Sequence, residues 1–159
     1  MFALPTESQR RGFSLIELVI VVVIIGIIGA IAIPRLSRGA EGANDSALVG
    51  DLAVLRNAID LYATEHGGTF PELTTIEAQL TQYTDYSGDT SASKTGEYIY
   101  GPYIRKIPAV TVGAQAGSAG FTDTAGTASK GWVYDETTGD ITPNTTTETD
   151  SGGTLYNAY

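Results

Sequence analysis

RRGFSLIELVIVVVIIGIIGAIAIPRLS, residues 10–37, sets the terms for the rest of the chain. Between Phe13 and Ile33 only Ser14 and Glu17 are polar. As a helix rising 1.5 Å per residue, these 21 residues span roughly 31 Å, close to the hydrocarbon thickness of a bilayer. The segment therefore reads as a helix able to cross a membrane once. Arg10 and Arg11 lie just ahead of it and favour a cytoplasmic N-terminus, a bias that Arg35 and Arg38 on the far side reduce. Glu17 is the anomaly. A carboxylate in hydrocarbon costs of order 2.5 to 3.5 kcal/mol on insertion scales, and no basic residue lies within the run to offset it. A charge kept at that cost implies a partner that the segment does not supply in sequence.

The 159 residues allow one domain with a modest core. There is no Cys, which excludes a disulfide framework, a thiolate nucleophile and a Cys-based metal site. The formal net charge of −9, with nine scattered Lys and Arg, argues against a nucleic-acid partner, because phosphate binding needs clustered cations. An acidic exterior rich in Gly and Thr suits a body facing the outside of the cell.

Four regions follow: residues 1–12, short and polar; 13–34, the apolar helix; 35–66, an amphipathic helix; and 67–159, loops and strands. In the third, Leu48, Leu52, Leu55, Ile59 and Tyr62 recur at alternating steps of four and three. Asn44, Asp45, Asp51, Arg56, Asp60 and Glu65 fall elsewhere, so one stripe is to be buried. Gly67-Gly68 predicts the helix stop. Beyond it, ELTTIEAQL (72–80) suggests a short helix, and 84–95, 113–130 and 143–153 read as loops. The predicted strands are 97–100, 104–112, 131–134 and 140–142, the last two joined as a hairpin through 135–139. A small antiparallel sheet on the Leu48 to Tyr62 stripe gives an α+β fold.

Gly12-Phe13-Ser14-Leu15-Ile16-Glu17, behind a short basic stretch and ahead of an apolar run closed by Pro34, resembles the N-terminal signature of type IV pilins and of the pseudopilins of type II secretion systems. The resemblance implies a pilin-like fold in which a long helical spine packs against the sheet. It implies that residues 1–12 are a prepilin leader, that a membrane prepilin peptidase cuts between Gly12 and Phe13, and that the new amine of Phe13 is methylated. It also implies that Glu17 faces the α-amino group of Phe13 on a neighbouring subunit, where a paired charge in a low dielectric becomes tolerable. In such filaments the segment matching Gly26 to Pro34 can lose helical hydrogen bonding on assembly. Gly26 and Pro34 make that loss cheaper, since Gly is a weak helix former and Pro has no N–H to donate. The partners implied are further copies of the chain, minor pseudopilins, the peptidase, and an inner-membrane platform with its ATPase. The implied location is the bacterial inner membrane, single-pass with a periplasmic body, and then a periplasmic or extracellular filament.

Two simpler readings share the same residues. Ala30-Ile31-Ala32 fits a signal-peptidase site that would release a soluble secreted binding module, and Arg10-Arg11-Gly12-Phe13 is similar to a twin-arginine signal. Glu17 is misplaced in the core of either signal, and the run exceeds the roughly 7 to 15 apolar residues such signals use. A plain membrane anchor is the third reading.

Within the resembling family, HGGTFPELTTIEAQL (66–80), GPYIRKIP (101–108) and GWVYDETTGDI (131–141) are most similar to a major pseudopilin, although Ala109-Val110-Thr111 stands where an Asp-Pro-Trp-Gly segment is usual. A type IV pilus subunit is the alternative; many adhesive pilins close their C-terminal region with a disulfide, and this chain has no Cys. Major pseudopilins bind calcium in a C-terminal loop. The oxygen donors available here are Asp135, Glu136 and Asp140, with Glu148 and Asp150 further on, and none has EF-hand spacing. Catalysis has little to work with: His66 reads as a dipole partner at the helix end, no nucleophile elbow surrounds a Ser, and 113–120 lacks a phosphate-loop Lys. The nine Tyr read as packing residues. The chain is read as a non-enzymatic subunit.

Overall fold

The computed structural model describes residues 12–159, so residues 1–11 of the leader region lie outside the described residues. The chain forms two compact units, one ending at Gly39 and the other Ala40–Tyr159. Helix α1 (Leu15–Glu65) supplies the first and opens the second. Pro34 does not end it. Pro34 has no N–H to give the carbonyl of Ala30, but bonds on either side carry the helix through.

In the second unit the expected stripe is buried: Leu48, Leu52, Leu55, Ile59 and Tyr62 are each 2 % exposed or less. The helix stops as Gly67-Gly68 predicts. Gly67 adopts φ 67°, and the Gly68 N–H reaches back to the Ala63 carbonyl at 2.7 Å, the long bond of a Schellman cap. Only a residue without a Cβ takes that turn cheaply.

Helix α2 (Ile76–Thr81) is shorter than the stretch expected for it, because residues 72–75 lie in extended chain and turns, and it buries Ile76 and Leu80. Strands β1 (Tyr83–Thr84) and β2 (Thr90–Ser91) pair antiparallel, all but Tyr83 inside the stretch 84–95 read as loop. Strands β3 (Phe121–Thr122), β4 (Trp132–Tyr134) and β5 (Ile141–Pro143) form a sheet in the order β3-β4-β5. The expected hairpin is β4-β5, with Val133 opposite Thr142. The sheet is nevertheless mixed rather than antiparallel, since β3 runs parallel to β4.

Two expected strands are absent among the described residues. Residues 97–100 contribute a single bridge, Tyr100 with Thr84. Residues 104–112 run without ladder pairing, because Pro108 cannot donate and the Val110 N–H and carbonyl are taken by the turn at Gly117 and Ser118. This segment still contributes packing: Ile107, Val110 and Val112 are buried with the α1 stripe, α2, Phe121, Trp132, Tyr134 and Ile141 in one core. Trp132 donates its indole N–H to the Pro108 carbonyl at 2.9 Å, and Tyr134 its hydroxyl to Pro71 at 2.9 Å. Both aromatic residues are thus buried with their polar tips satisfied.

Candidate processing and assembly site

Gly12, Phe13 and Ser14 precede the helix in non-helical conformation, and Phe13 is 82 % exposed. The peptide bond expected to be cut therefore lies in accessible chain outside the helix. Ser14 is the N-cap: its carbonyl accepts the N–H of Leu18 at 3.1 Å. Glu17 stands three residues on, and its Oε2 accepts the backbone N–H of Ser14 at 2.9 Å. This is the reach-back half of a capping box, and it satisfies one of the amide donors that a helix start leaves over.

From Leu15 to Ile31 every large apolar side chain is exposed, from 44 % at Val19 to 79 % at Leu15. Fully burying a residue of this kind contributes about 1.5 to 3 kcal/mol, so a helix of such residues belongs in lipid or against other apolar helices. Leu15–Ala32 is long and apolar enough to cross a membrane, by length and composition. Gly26 and Gly29 face open space: a methyl group added at either would meet nothing within 4 Å beyond the backbone of its own helix. A close helix neighbour would meet no side chain there.

Of the carboxylates named for calcium, those of Asp135 and Glu136 accept backbone N–H groups. Asp135 accepts the Thr137 N–H at 2.8 Å, which holds its carboxyl below the usual range, and Glu136 accepts the Leu73 N–H at 2.7 Å. Asp140 closes the hairpin, its carbonyl taking the Asp135 N–H and its own N–H turning to Thr138 Oγ1. Among the described residues no three His, Asp or Glu side chains gather as a metal site needs.

Glu148 and Asp150 act as loop clasps. Glu148 accepts the N–H groups of Thr146, Ala114 and Thr147, which hold its carboxyl down at about 2. Asp150 takes the Tyr159 hydroxyl at 2.6 Å together with the N–H groups of Gly152 and Thr154, and its carboxyl is lowered too. Asp45 on α1 receives the Tyr156 hydroxyl at 2.6 Å and the Ser151 hydroxyl at 3.1 Å. His66 is also structural. It is buried and stacked on Tyr62 at 3.8 Å, with Nδ1 2.8 Å from the Tyr62 carbonyl oxygen and Nε2 2.9 Å from that of Asp85. Its ring ties the end of α1 to the β1-β2 turn, a more specific role than the dipole contact expected. The sequence held no signal for this, because it depends on residues nineteen positions apart.

Residues 8–33 match the prokaryotic N-terminal methylation motif. The motif supports the type IV pilin and pseudopilin class, and it covers Gly12, Phe13, Glu17 and Gly26 but not Pro34. It points to a structural subunit rather than an enzyme, to processing by a prepilin peptidase, and to membrane anchoring through the apolar N-terminal helix. Neither a curated protein nor a solved structure matches the chain.

Proposed function

We propose that the chain is a structural subunit of a type II secretion pseudopilus, cut after Gly12, methylated on Phe13 and polymerised through the N-terminal part of α1. One observation carries the reading: the methylation motif coincides with a helix start that is accessible at the cut, charged at Glu17 and apolar on every side from Leu15 to Ile31. Packed against copies of itself, this helix would bury the surface that lipid covers before assembly. Glu17 would pair with the α-amine of Phe13 on the next subunit, while Gly26 and Pro34 would allow local unwinding. The bodies would coat the filament, whose growth, driven by an inner-membrane platform and ATPase and primed by minor pseudopilins, would push cargo through the outer membrane. The absence of Cys favours this branch over an adhesive type IV pilus.

The test is Glu17→Ala in the native host. The variant should stay in the membrane fraction after alkaline extraction and yield no filaments. Wild-type filament yield from that variant would remove Glu17 from the mechanism. Deleting the gene separates the branches: retained folded cargo indicates the pseudopilus, and loss of surface fibres with normal secretion indicates the pilus.

A further inference from the structure

Glu17 has a partner before any second subunit arrives. Its Oε2 lies 2.9 Å from the Ser14 nitrogen, within the first turn of α1, while Oε1 takes no hydrogen bond among the described residues. The carboxylate also sits where the summed peptide dipoles place partial positive charge, and in a water-poor setting both attractions are stronger than in solution. The bond involves Ser14 backbone alone, so cleavage between Gly12 and Phe13 leaves it intact and places the new α-amine one residue before the cap.

We propose that Ser14 is a positioning residue: its backbone N–H clasps Glu17 in the unassembled subunit, storing the charge on its own helix and presenting Oε1 to an incoming amine. The spacing explains why the carboxylate stands where it does. A Glu reaches the cap N–H from the third helical position, and Leu15 is the first. A carboxylate further along the helix would lack that bond and lie in lipid unpartnered. The clasp also fixes side-chain torsions before assembly, which lowers the ordering cost that an interface otherwise incurs. Assembly is then an addition to Oε1 rather than the rescue of an orphan charge. This consequence rests on the filament reading above; the clasp itself does not.

The experiment measures backbone amide hydrogen exchange at Ser14 in the full chain held in detergent micelles, for wild type, Glu17→Ala and Glu17→Gln. A hydrogen bond to a charged acceptor predicts exchange at Ser14 about tenfold or more slower in wild type than in Glu17→Ala, with the amides of Ile24 to Ile28 unchanged as an internal reference. Glu17→Gln keeps a carbonyl acceptor and should retain part of the protection while losing the charge. Equal exchange at Ser14 in wild type and Glu17→Ala overturns the clasp, whatever the filaments do. Protection retained in Glu17→Gln together with normal filaments supports the clasp and overturns only the interchain charge pair.

Discussion

Glu17 and Gly67 show two ways in which one residue commits its neighbourhood. Glu17 was legible as an anomaly, a single carboxylate in an apolar run, and the N-terminal methylation motif covers it. Its bond to Ser14 was not legible, because it depends on the helix starting at Leu15 and not a residue earlier or later. Gly67 was legible as a stop, and its φ of 67° suits glycine best. Replacing Gly67 by Ala should cost about 1 to 2 kcal/mol from the left-handed backbone. The added methyl would also stand 2.6 Å from the Tyr86 hydroxyl, whose flexible ring can move aside. Urea unfolding of the full chain in detergent checks this; an unchanged midpoint would show that the cap contributes nothing.

Among the elements, the amphipathic part of α1 was read from spacing alone, and its five stripe residues are all buried. Leu52→Ala should therefore destabilise by about 2 to 5 kcal/mol, the range for a fully buried Leu, whereas Val54→Ala at a half-exposed position should change the urea midpoint little. Equal effects of the two would contradict the assigned face. The strands were harder, for a physical reason. β1, β2 and β3 have two residues each, too few for alternation to register, and they are held by turns and by single anchors such as Phe121. Residues 104–112 carry Ile and Val like a strand but contain Pro108, and they pack without pairing.

The C-terminal loops make a pH prediction. Hydrogen bonds depress the carboxyls of Glu148, to about 2 from an ordinary 4.5, and of Asp150, so both stabilise the loops while ionised. Their contribution is complete above the unfolded values and is lost as pH falls through the folded ones. Amide protection factors at Ala114, Thr146 and Thr147 should fall between about pH 4.5 and 2 while those of the α1 core hold. Protection that persists unaltered to about pH 2 would refute the clasp role.

At the scale of the whole molecule, the proposed filament would bring together many copies of an acidic chain, whose full sequence has 18 Asp and Glu against nine Lys and Arg. Raising ionic strength from about 0.01 to 0.15 M shortens the screening length from about 30 to 8 Å, so the sedimentable fraction should rise over that range. A fall would mean that attraction between charged bodies, rather than apolar helix packing, holds the polymer. The fold class was legible because one helix dominates it; the mixed sheet was not, because β3 sets Phe121 beside Trp132 across an otherwise loop-like stretch. The central claim is that the helix start is a processed assembly end, and it is tested most directly by the mass of the N-terminal peptide recovered from native membranes. A chain beginning at Phe13 and carrying one methyl group on its amine is the predicted result. A chain beginning at Ile33, as signal-peptidase cleavage after Ala32 would leave it, would contradict the account and remove the apolar segment from the mature protein.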